Sequence, residues 1–156
     1  MKQSTCTSPR TAFWKYAVVL SVGLHLPSVG VAAPKEYGHA VVDEVTSIYD
    51  ADTFTVNIHG WPSIVGERIS VRVKGIDAPE IRGKCRAEII RARRAKEFTV
   101  EQLRSAKRIE LKNLGRDKYF RILADVFVDG RSLAQQLVQQ DFARLYDGGR
   151  KASWCD

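Results

Sequence analysis

Apolar and polar residues alternate along two separate runs and a third sets apolar residues at every second position, and a period of two is satisfied only by strands that bury one face. In the first run Phe54, Val56 and Ile58 alternate with Thr55 and Asn57. In the second Ile69, Val71 and Val73 alternate with Ser70, Arg72 and Lys74. In the third Ile122, Ala124, Val126 and Val128 share a face. Further strands are expected over residues 39–47, carried by Val41, Val42 and Val45, and around Ile109 and Leu111. Turn chemistry separates the runs at Asp50-Ala51-Asp52, Gly60-Trp61-Pro62-Ser63, Asn113-Leu114-Gly115 and Asp129-Gly130.

Helical composition fills residues 87–106, with an imperfect apolar stripe of Ala87, Ile90, Ala95 and Phe98. A cleaner stripe of Leu133, Ala134, Leu137 and Val138 predicts a second helix. Three strands, a helix, two strands and a helix is the order of an OB-fold, a five-stranded Greek-key barrel that often binds oligonucleotides. The expected class is therefore mainly β with helices (α+β). An α+β sandwich satisfies the periodicity nearly as well.

The first 33 residues read as a signal peptide. Lys2, Arg10 and Lys15 give a basic start, residues 16–26 are an apolar stretch too short to span a bilayer, and Gly30, Val31, Ala32 and Ala33 suit cleavage. His25 and Pro27 weigh against an uncleaved anchor. Residues 34–156 then form one domain, and export to the periplasm or medium is expected, with no stable membrane association once the signal is removed. Without the leader the 25 Lys and Arg fall to 22, against 18 Asp and Glu. That excess is compatible with a polyanionic partner but does not establish one. Cys6 leaves with the leader; Cys85 and Cys155 remain, as two free thiols or a bridge, and export favours the bridge.

Four acids and two arginines carry the expected chemistry. Asp50 and Asp52 open the second strand, Asp77 and Glu80 lie in the loop after the third, Arg72 precedes that loop, and Arg121 opens the fifth strand. If the barrel closes, the Asp52 turn and the Asp77 loop meet at one mouth. Carboxylates with backbone carbonyls suit calcium or magnesium and not zinc. Two guanidiniums can clamp a phosphate, and a further carboxylate can take a proton from water. Each piece has a blander reading, since Asp50 suits an ordinary turn and Arg72 a solvated strand face.

Taken together, Asp50-Ala-Asp-Thr-Phe, Arg72-Val-Lys-Gly-Ile-Asp-Ala-Pro-Glu80 and Asp117-Lys-Tyr-Phe-Arg121 resemble, in order, three signatures of the staphylococcal nuclease family. The resemblance implies that Asp52 and Asp77 ligate Ca²⁺ with the Ala78 carbonyl, that Glu80 is the general base, that Arg72 binds phosphate, and that Arg121 stabilises the transition state. It implies an endonuclease acting on DNA and RNA that leaves 3′-phosphate ends, and a monomer is expected. The rival reading is a non-catalytic OB-fold module that binds nucleic acid or protein; such a module has no need of all five charged residues. Ala78 stands where the family usually has Thr, and Phe120 where Gly is common, which is expected to reshape the pocket beside Arg121. Residues 59–68 form a longer stretch than in the prototype. The chain ends too soon for the prototype's last helix, and a Cys85–Cys155 bridge would tether the end instead.

Overall fold

A computed structural model describes residues 37–155. The expected signal peptide, Cys6 and the start of the domain at residue 34 lie outside the described residues. Five strands make the barrel: β1 (Ala40–Ile48), β2 (Thr53–Ile58), β3 (Ile69–Val73), β5 (Ile109–Arg116) and β6 (Ile122–Val128). β1 pairs antiparallel with β2 and β5, β2 with β3, and β5 with β6. A parallel pairing of β3 with β6 closes the cylinder, with Arg72 opposite Leu123. The order and the closure are those of an OB barrel, so the α+β class holds and the sandwich alternative does not.

The alternating residues point where the period of two sends them. Phe54, Val56, Val71, Val73, Leu111, Ala124 and Val126 are buried in the barrel. Each of the larger side chains contributes about 1.5–3 kcal/mol by leaving water. Leu133 and Leu137 of α3 (Leu133–Gln139) cap one end of this core. Helix α2 (Arg86–Ser105) lies against it, but its buried stripe is Glu88, Ala92, Ala95, Thr99 and Leu103, and Ile90 faces outward. The sequence stripe missed this face because two of its five positions carry polar groups. Thr99 Oγ1 donates to the carbonyl of Ala51 (2.9 Å), so the helix fixes the turn between β1 and β2.

Local departures from expectation have local causes. Asn113-Leu114-Gly115 is not a turn: it is a bulge inside β5, where the register shifts and Asn113 takes φ 52°. The reversal comes later, at residues 117–120. The loop over 59–68 holds a one-turn helix, α1 (Ser63–Gly66), and Trp61 packs half-buried on the core. Three two-residue strands are too short to read from periodicity: β4 (Ile76–Asp77), β7 (Arg131–Ser132) and β8 (Arg144–Leu145). β4 pairs with β8 and sets Asp77 opposite Arg144. No helix among the described residues is long and apolar enough to cross a membrane.

Cys85 and Cys155 form a disulfide, with Cα atoms 5.8 Å apart. The bridge spans 70 residues, a loop for which chain entropy gives on the order of 4 kcal/mol. It joins the start of α2 to the chain's last residues and holds that tail beside the loop that follows β4.

Candidate active site

The β1–β2 turn, the end of β3 and the β4 loop converge at one mouth of the barrel. Thr53 pairs with Arg72 across β2 and β3, which brings Asp52 within reach of the guanidinium. Arg72 Nη1 donates to Asp52 Oδ1 at 2.6 Å, and Arg72 Nη2 lies 3.9 Å from Asp77 Oδ1. Asp52 also accepts from Thr53 Oγ1 (3.0 Å) and, through Oδ2, from the Ala78 amide (3.1 Å). Asp52 and Asp77 are both buried, and Arg72 is only 9% exposed. The solvated-face reading of Arg72 therefore fails, because its guanidinium is held by the buried Asp52 carboxylate next to its strand partner Thr53.

Asp50 is buried beside Asp52 and not at the surface of an ordinary turn. Burial pushes the Asp52 pKa up, the Arg72 charge opposes this, and Asp50 adds to the rise; the net position is well above the usual carboxylate range. Asp50 Oδ1 accepts no hydrogen bond. Asp77 Oδ1 lies 2.6 Å from Lys151 Nζ, close enough for an ion pair but misaligned for a hydrogen bond. The mouth thus gathers Asp50, Asp52, Asp77 and Glu80 against Arg72 and Lys151, an excess of negative charge with unsatisfied carboxylate oxygens. An all-oxygen donor set of this kind fits a hard divalent cation. The trio Cys85, Glu88 and Cys155 also comes within ligand distance, but its two sulfurs are joined to each other, so it holds no ion.

Arg72, Glu80 and Arg121 line one open cleft of about 680 Å³, together with Asp50, Thr53, Tyr119, Tyr146 and Lys151. Glu80 lies on a loop ordered by Glu88, whose buried carboxylate accepts from the amides of Glu80 (3.3 Å) and Lys84 (2.8 Å). Gly83 belongs to that arrangement, since a Cβ there would meet Glu88 Cγ at 2.5 Å. Arg121 sits just before β6 and donates from Nε to Asp117 Oδ2 at 2.6 Å. That contact fixes the guanidinium plane and leaves its two outer nitrogens for other partners. Phe120 does not line the cleft as its position beside Arg121 suggested. It is 81% exposed at φ 64°, so replacing Gly strains the backbone and leaves the pocket's shape alone.

Partial burial works to raise the Asp117 pKa, but hydrogen bonds from the Arg121 side chain and from the Tyr119 and Arg121 amides prevail and hold it below the usual value. A depressed folded pKa gives stability that is present above the unfolded value near 4 and is lost as pH falls through the folded one. Asp117→Asn should therefore lower the melting temperature by roughly 3–5 °C at pH 7, for a loss of about 1 kcal/mol. Melting curves of both proteins should converge as the pH falls through the lowered Asp117 pKa; a gap that persists below it would assign the effect to something other than this charge.

Sequence reasoning missed Trp154, Lys151 and Glu88. Trp154 Nε1 donates to Asp77 Oδ2 (3.0 Å), and its ring lies under the Arg144 guanidinium at 3.9 Å. Lys151 Nζ reaches Glu80 Oε1 at 3.2 Å as well as Asp77. Only the disulfide signalled that the tail would lie here.

A closed OB barrel with an acidic, arginine-flanked cleft at its mouth is the framework of a nuclease-like protein. The sequence model of the staphylococcal nuclease homologue family matches residues 70–153, more than half of the chain, and the chain belongs to that family. The match includes Arg72, Asp77, Ala78, Glu80, Arg121 and Lys151 and begins after Asp52. No curated protein matches the chain.

Proposed function

We propose that this protein is an exported, Ca²⁺-dependent endonuclease, a monomer of residues 34–156, that hydrolyses phosphodiester bonds of DNA and RNA and leaves 3′-phosphate ends. The observation that carries this reading is the single cleft lined by Arg72, Glu80 and Arg121, next to the buried pair Asp52 and Asp77. Family membership supports a nuclease kind, nucleic-acid substrates and metal dependence. The disulfide and the leader-like first 33 residues support an oxidising, exported location.

Asp52 and Asp77, with the Ala78 carbonyl, would hold the ion. Bound there, calcium supplies positive charge against the phosphoryl oxygens. Glu80 accepts the proton of the attacking water. The water oxygen forms the new bond to phosphorus, the bond to the 5′-oxygen breaks, and that oxygen leaves as a hydroxyl after taking a proton from solvent water. Arg72 from β3 and Arg121 from just before β6 pair with the phosphoryl oxygens through planar guanidinium forks. Arg72 already neutralises Asp52, so it meets substrate as part of a buried network, whereas Arg121 presents a fork aimed by Asp117. Tyr119 and Tyr146 line the same cleft and offer ring faces to the flanking bases.

End-group analysis tests the proposal against the binding-module alternative. A single-stranded oligonucleotide incubated with protein and calcium should give shorter products with 3′-phosphate and 5′-hydroxyl ends. An oligonucleotide that is bound and recovered intact would establish the binding module instead.

A further inference from the structure

The tail after β8 does more than close the chain. Residues 147–153 run between two anchors. At one end the Tyr146 amide donates to the Gly75 carbonyl (2.9 Å); at the other, Trp154 is bonded to Asp77 and Cys155 to Cys85. Between these points Lys151 lies with its ammonium 2.6 Å from Asp77 Oδ1 and 3.2 Å from Glu80 Oε1. Gly148 and Gly149, at φ 115° and 84°, take conformations open to glycine, and the Tyr146 hydroxyl donates to the Gly149 carbonyl (2.7 Å), so the ammonium is displaced by movement of the Lys151 side chain.

Both partners of Lys151 are groups the nuclease reading needs for other work. Asp77 is to meet the divalent ion, and Glu80 is to take a proton from water. We propose that Lys151 is a tethered counter-cation that a divalent ion must displace from Asp77 and Glu80, so that the disulfide-pinned tail lowers the metal affinity of the site. The inference rests on the metal-site reading above. A resident ammonium screens the acids when no ion is bound, and the tether keeps its local concentration high. Trp154 keeps its bond to the other Asp77 oxygen, so moving Lys151 does not release the carboxylate.

Calorimetric titration of the metal-free protein with calcium chloride separates the possibilities. Lys151→Met keeps the stem and removes the charge; Lys151→Arg keeps the charge. Lys151 is partly solvent-exposed, so both variants should fold, and melting curves check this. Should Met disturb the tail, Lys151→Gln removes the charge with a polar end and is expected to behave alike. Linked sites commonly couple by about 5–150-fold, and the Met variant should bind calcium at least about tenfold more tightly than wild type, with the Arg variant close to wild type. Equal or weaker binding by the neutral variants, with wild type still binding calcium, would overturn the role of Lys151 and leave the metal site standing. No binding by any of them would overturn the metal reading, and this inference with it.

Discussion

Glu80→Gln is expected to lower kcat by ~10²–10⁴-fold, the range over which general-base catalysis typically contributes. The substitution keeps the shape of the side chain and removes its capacity to take a proton. Glu80 is partly exposed at the cleft wall, and the loop that carries it is ordered through its backbone amide by Glu88. The variant should therefore fold and bind substrate. Arg121→Lys should lower kcat by about 10²–10³-fold, comparable to loss of a donor aimed at developing charge. Lysine cannot reproduce the planar fork that Asp117 orients through Nε. In both variants KM should change little, since the missing interaction forms in the transition state. Arg72→Lys differs from them. Its guanidinium is buried against Asp52, so the variant should raise KM and also melt at a lower temperature. Steady-state kinetics on one oligonucleotide, with a melting curve for each variant, checks all three; near-wild-type kcat in folded Glu80→Gln and Arg121→Lys would remove the catalytic reading.

The second large effect concerns the ion. Asp52→Asn or Asp77→Asn should weaken calcium binding by more than about 100-fold, because losing even an outer-shell partner typically costs 10–100-fold. Cleavage at moderate calcium should fall with binding and recover partly as calcium is raised. A variant that binds calcium like wild type would show that its carboxylate is not a ligand. The two variants should differ in folding. Asp77 is held by Trp154 and Lys151 across the tail, whereas Asp52 is held by Arg72, Thr53 and Ala78 inside the barrel. Asp77→Asn is therefore expected to loosen the tail while the barrel stays intact.

The barrel was legible because its strands bury one face each. Phe54, Val56, Val71, Val73, Ala124 and Val126 all lie where a period of two puts them. The bulge at residues 113–115 was not legible, since its Asn and Gly read equally well as a turn, and only pairing with β6 decides between them. The stripe of α2 was misread because Glu88 and Thr99 are buried for polar reasons, one ordering the Glu80 loop and the other tying down Ala51. For the site, the acids and arginines stand out by their context in turns and strand ends, their roles follow from the family resemblance, and the closed barrel brings Arg72, Glu80 and Arg121 to one cleft. Burial of Asp50 and Arg72 is not legible in the sequence, because turn and strand propensities describe a residue alone and not the partner across the sheet. Lys151 and Trp154 lie more than 70 residues from Asp77 in the chain, and nothing local in Lys-Ala-Ser-Trp points back to an acid. The disulfide makes that contact possible, and the sequence carried it only as two cysteines.

The central claim is that the cleft hydrolyses phosphodiesters with the help of a divalent ion. Cleavage of one end-labelled single-stranded oligonucleotide tests it most directly, with wild type and Glu80→Gln purified side by side, each assayed in calcium and in chelator. Wild type in calcium should cut rapidly, and the other three reactions should run at least about 100-fold slower. Cleavage at the same rate in chelator, or by folded Glu80→Gln in calcium, would contradict the account.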